Sequence, residues 1–420
     1  MKRKHRKDIL QLLKCNDTQF SKIAMYTLLL ASKEQRQEIY TQITQNSFLK
    51  RRYLTCVYKN DLTSLGEKSF VYNRKISSDD SICYANFLIE LYKNEINDYI
   101  LLRKKYYRAL FSQDYDTAKK IIDQIDSTIC VSMWSCGQRL LLAEKQLGLA
   151  GNKQQLEELN LVVPQNFISL VLLGFYSSLA EVNISYENYQ TEITKYISSF
   201  KESDIGRYLY QKLSLQAVLE ESDVSLILQI DSQYSIIDLF NDFEIVIPFH
   251  IKNNLCVGNY KNDLLAGIDS PLSYNLQLLS QETSKQYVHS ISEDQKKLYC
   301  ILEAYTKGDY SYVITSAQTY LIDNPSAIQV AILLCKASLN ANIEYKDVLK
   351  ISYINHIYEI YKLGDNYRES VLELKKEFKQ NFASPLRIRF QNFLSRKHLI
   401  TLEAVQYLFK SKRIKARENI

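Results

Sequence analysis

Apolar residues return every three to four positions along most of this 420-residue chain. Short polar turns break that pattern at intervals, so the period predicts amphipathic helices rather than strands. The clearest unit spans 295–325. Leu298, Ile301, Leu302 and Tyr305 share one helical face, and Gly308-Asp309 interrupts it. Val313, Ile314, Ala317, Tyr320 and Leu321 resume the period on a second helix. Asn324-Pro325 stops that helix, because proline disfavours the helical conformation of the residue before it. A third helix is expected over 327–339, with Ile328, Ala331, Ile332 and Cys335 on one face.

A second unit is built the same way. Leu102, Tyr106, Ala109 and Leu110 form one face, Gln113-Asp114-Tyr115-Asp116 the turn, and Ala118, Ile121, Ile122 and Ile125 the next face. Further turns are expected at Gly151-Asn152-Lys153, at Asn342-Ile343-Glu344-Tyr345 and at Gly364-Asp365-Asn366. Residues 165–292 keep the helical period without that turn. Leu209, Leu213 and Ala217 lead into an apolar run over 219–228, reading as a hairpin turned at Glu221-Ser222-Asp223. The stretch 244–249, Glu-Ile-Val-Ile-Pro-Phe, fits a short strand or, preferably, a buried helix ended by proline.

The run Ala304-Tyr305-x-x-Gly308-Asp309-Tyr310, with small Ala317 and closing Asn324-Pro325, resembles the tetratricopeptide repeat. Ile301, Val313 and Tyr320 are larger than the family's usual residues at those places and imply more widely spaced helices. The resemblance implies an all-α fold, a right-handed superhelical array of antiparallel helix pairs of the α-solenoid type. It also implies a concave groove that takes a partner protein or peptide, and a non-enzymatic scaffold or adaptor role. On this reading 1–97 is an N-terminal helical region with a basic tail and 98–292 a helical repeat block. Residues 293–384 form the tetratricopeptide-like block and 385–420 a basic helical cap.

Composition narrows the classes. With 10 Gly and 5 Pro, the chain lacks the punctuation of a sandwich or barrel and the clustered glycines of a phosphate loop. Eight cysteines at 15, 56, 83, 130, 136, 256, 300 and 335 make no Cys-x-x-Cys, which suggests reduced core thiols. The apolar part of the longest charge-free window, 167–180, is too short to span a bilayer and reads as a buried helix. No secretory signal is legible, so a cytoplasmic location is expected. His356 and Glu359 sit three apart but make no metal site alone, and no cofactor is expected.

Charge adds the alternative function. The formal charge of +6 is uneven. Lys2, Arg3, Lys4, Arg6 and Lys7 crowd one end, and Lys410, Lys412, Arg413, Lys415 and Arg417 the other. Arg103, Lys104, Lys105 and Arg108 make a third patch, with Lys104 and Arg108 one helical turn apart. The two basic ends, with Lys104 and Arg108 of the third patch, are the candidate anion or nucleic-acid contacts of an accessory protein that uses a helical frame and basic termini to hold phosphate.

Overall fold

The computed structural model describes residues 62–65, 76–111, 114–163, 166–181, 186–214, 219–253, 264–265, 267–270, 293–324 and 327–341, with positions 45, 72, 74, 184, 217 and 273. The described chain is all-helical and holds twelve α-helices, with no strand among the described residues. They are α1 (Ser78–Leu91), α2 (Lys93–Phe111), α3 (Tyr115–Thr128), α4 (Met133–Val162), α5 (Phe167–Ala180) and α6 (Tyr186–Ile197). They continue as α7 (Asp204–Leu213), α8 (Glu221–Asp231), α9 (Ile236–Asn253), α10 (Glu293–Lys307), α11 (Tyr310–Asp323) and α12 (Ile328–Asn340).

Capping residues fix where the helices start. Ser77, Asp114, Ser132, Asn166, Ser203 and Asp309 each accept a hydrogen bond from a backbone N–H of the following first turn, meeting donors that have no partner inside the helix. Asp79-Asp80 lie in the first turn of α1, favourably placed at the positive end of its dipole.

The α10–α11 turn shows why glycine stands at 308. Gly308 has φ of 79°, its N–H donates to the Tyr305 carbonyl and the Asp309 N–H to the Ala304 carbonyl. Those two bonds close a helix C-terminus with a left-handed residue, where a side chain would be strained. The α2–α3 turn repeats the longer bond, from the Asp114 N–H to the Ala109 carbonyl at 2.9 Å. Asp114 and Asp309 share nearly the same backbone angles, φ/ψ of −84°/75° and −81°/73°. One constant offset relates Ala109 to Ala304, Tyr115 to Tyr310 and Met133 to Ile328. It also pairs buried positions: Tyr106 with Ile301, Ala118 with Val313, Ile122 with Ala317, and Leu140 with Cys335. The turn geometry and the offset of buried positions are thus shared by α2–α4 and α10–α12.

Three expectations need correction. The break expected at Gly151-Asn152-Lys153 lies at Gly148, whose φ of 70° and ψ of −162° kink α4. Gly151 and Asn152 are buried inside the helix, and Asn152 Nδ2 donates to the Ser177 carbonyl at 3.0 Å while Ser177 Oγ donates to Asn152 Oδ1 at 2.8 Å. A polar asparagine read as a turn is a buried clamp on α5. The residues Glu221-Ser222-Asp223 are the first turn of α8, because Asp223 accepts from the Glu220 N–H in a capping box. Finally, 244–249 is helical, but α9 runs through position 248 to Asn253 instead of ending there.

Each helix from α1 to α8 packs on the next. In addition α8 and α9 pack on α1, and α9 reaches α2 and α4. Every residue of α8 from Asp223 to Asp231 is buried, so α8 is a central element. Its polar side chains find partners: Ser225 Oγ and Ser81 Oγ are 2.9 Å apart, Ser225 Oγ donates to the Ile76 carbonyl, and Gln229 Nε2 donates to Ser225 Oγ at 2.7 Å. One hydrophobic core runs from Leu65 to Ile268, and residue 97 lies within α2. A stack of nearest neighbours does not require contacts between elements this far apart in sequence. Among the described residues no helix is long and apolar enough to cross a membrane.

Candidate ligand groove

Helix α5 has apolar side chains on more of its circumference than its neighbours cover. Ile168, Leu172, Leu173 and Ala180 are buried, and α4 is its most extensive partner. A second stripe, Phe167, Leu170, Val171, Gly174, Phe175 and Ser178, borders a groove of about 710 Å³. Helix α6 supplies the opposite wall through Glu192, Lys195 and Tyr196. An added Cβ at Gly174 would meet nothing within 4 Å, so this glycine leaves the floor open.

Aromatic rings give the groove its wall. Phe167 and Phe200 lie edge to face with centroids 5.5 Å apart, Tyr196 and Phe200 at 5.9 Å, and Phe175 and Tyr196 at 5.6 Å. Such pairs are rigid and present large apolar area at low entropic cost. Phe167 is 48% and Tyr196 45% exposed. Glu192 and Lys195, both exposed and one turn apart on α6, make the charged rim. The arrangement suits apolar side chains in the channel and polar contacts at its edge.

The basic patch on α2 divides. Arg103 is a structural residue: it donates to Asn241 Oδ1 at 2.6 Å and to Glu244 Oε2 at 2.9 Å, and lies over the rings of Tyr99 and Phe240. Lys104 is ion-paired with Asp294 of α10. Lys105 and Arg108 are exposed. The candidate residues Lys2, Arg3, Lys4, Arg6, Lys7, Lys410, Lys412, Arg413, Lys415 and Arg417 lie outside the described residues, as do His356, Glu359 and the turns at 342–345 and 364–366.

Two polar clusters are also present. His250, buried on α9, has Nδ1 2.6 Å from Glu221 Oε1 and Nε2 2.9 Å from Asp79 Oδ1, joining α9 to α8 and α1. Its two nitrogens face opposite carboxylates, so the three groups do not converge on one point. Among the described residues no group of three such side chains can hold a metal ion. The second cluster surrounds Lys212, where α7, α8 and α9 meet.

Of the thiols, Cys130, Cys136 and Cys335 are buried and in no disulfide among the described residues, and burial pushes all three up from the ordinary thiol range. Such thiols are poor nucleophiles. Cys300 is exposed.

Sequence reasoning did not single out the groove residues. A glycine in the middle of a 14-residue apolar helix was the available signal, since Gly174 costs helix stability unless its bareness is used. No protein-family model, curated protein or solved structure matches the chain.

Proposed function

We propose that the protein is a non-enzymatic interaction scaffold that seats an apolar segment of a partner protein in the α5–α6 groove. The observation that carries this reading is the groove itself: a channel of about 710 Å³ with an aromatic wall, a bare glycine floor and charges only at the rim. A groove of this kind suits an amphipathic helix or an extended peptide inserting apolar side chains at regular spacing.

The tetratricopeptide-like reading is supported by the shared plan of α2–α4 and α10–α12, whose turns use the same aspartate cap and the same backbone angles. On this reading the basic ends add solubility or a secondary anionic contact, and the location is cytoplasmic.

Gly174→Leu tests the function directly. The new side chain fills the channel from open space and replaces glycine with a better helix former. Partner recovery in a pulldown is expected to be lost while the unfolding midpoint holds or rises. Undiminished recovery with the channel filled contradicts the proposal.

A further inference from the structure

The junction of α7, α8 and α9 places more carboxyl groups around one ammonium than that ammonium can neutralise. Lys212 Nζ of α7 is 3.2 Å from Asp231 Oδ2 of α8 and 2.5 Å from Asp242 Oδ2 of α9. Lys212 Nζ therefore bridges the Asp231 and Asp242 carboxyl groups, which come from two different helices. Tyr208 of α7 donates its hydroxyl to Asp231 Oδ1 at 2.6 Å. Asp231 is wholly buried, whereas the Lys212 and Asp242 side chains keep 11% and 15% exposure, enough for a proton to enter or leave.

A third carboxylate stands near. Asp238 of α9 accepts from the Met133 and Trp134 N–H groups at 2.8 and 2.9 Å and from Ser235 Oγ at 2.7 Å. It caps the N-terminus of α4, and its negative charge also acts on Lys212, adding to the excess of carboxylate there. Tyr176 of α5 and Tyr234 of the α8–α9 turn face the same cluster and are held neutral, their phenols pushed up chiefly by burial.

Two largely buried carboxylates on one ammonium would leave a net negative charge away from water, which a single proton removes. We propose that this junction is a proton-dependent latch, in which one proton shared by Asp231 and Asp242 beside Lys212 keeps the α8–α9 hairpin closed under α7. With the proton in place the inner group of one ammonium, one carboxylate and one carboxylic acid is neutral. Once it leaves, two buried carboxylates on different helices oppose each other across a single cation, and the hairpin is strained open. The latch does not depend on what occupies the α5–α6 groove.

The direction follows from linkage. Burial, with the neighbouring carboxylate, raises Asp231 well above the ordinary carboxylate range, against the pull of Lys212. A raised folded-state pKa contributes stability that is full below the ordinary Asp value and is lost as pH rises to the folded-state titration. Asp231→Asn keeps the shape and the hydrogen-bonding capacity and removes the titration.

Urea unfolding of the wild type and D231N across pH tests the latch. The wild type's folding equilibrium constant is expected to fall relative to that of D231N by about tenfold per pH unit between the ordinary Asp range and the titration of the pair. Infrared spectra should show a protonated-carboxyl band in the folded wild type near neutral pH that D231N lacks. D242N serves in its place if D231N fails to fold. Parallel pH profiles of wild type and variant overturn the proposal, and so does a wild type with no protonated-carboxyl band near neutral pH.

Discussion

Single residues set the limits of the helices, and their removal has separable costs. Asp114 and Asp309 occupy equivalent caps with the same geometry, so Asp114→Ala and Asp309→Ala are each expected to lose about 1 kcal/mol in chemical unfolding. Unequal costs would mean that the shared plan of the two units is only nominal. Asn152→Ala removes two buried hydrogen bonds to Ser177 on α5, one at its carbonyl and one at its hydroxyl, and should cost about 1–3 kcal/mol. Gly308→Ala forces a side chain into a left-handed conformation and should cost roughly 1–2 kcal/mol.

Helices were the most legible part of the chain. The apolar period identified the buried faces and intervening turns of α2, α3, α10 and α11, and placed α12 within a residue of its observed bounds, because each buries a single stripe that a period of 3.6 displays. The kink at Gly148 was misplaced by three residues because Gly151-Asn152-Lys153 carries the ordinary composition of a turn. Its asparagine is buried by a contact with Ser177 that local sequence does not announce. The groove was hidden for a related reason. An apolar run such as Phe167–Ala180 looks the same whether its second stripe is covered by a neighbour or left open. At this scale the expected outcome concerns α1 and α8. Ser81 Oγ and Ser225 Oγ lie 2.9 Å apart, so cysteines introduced at both positions should form a disulfide on mild oxidation, read by mass spectrometry of the linked peptides. Its absence would contradict the packing of α8 on α1.

At the scale of the whole molecule, the return of α8 and α9 onto α1, α2 and α4 joins residues from Leu65 to Ile268 in one core. That return was not readable from the repeat-like turns, which report only on neighbours. It rests on contacts far apart in sequence, such as Asp238 with the N-terminus of α4 and His250 with Asp79. The polar groups buried there also determine the response to pH. Burial raises Asp126, Asp231 and Asp238, and the nearby carboxylates Asp231 and Asp242 raise Lys212 against its own desolvation. All four contribute stability at low pH that is lost as pH rises, the carboxyls first and Lys212 at strongly alkaline pH.

The proposed function rests on the open stripe of α5. The most direct measurement places a photo-crosslinking residue at Tyr196, on the groove wall, and in a parallel sample at Lys119, an exposed position on α3. In extracts of the source cells, irradiation is expected to trap one discrete protein from position 196 and not from 119. Gly174→Leu should abolish that adduct. No adduct at 196, or the same adducts from both positions, would contradict a partner-binding groove.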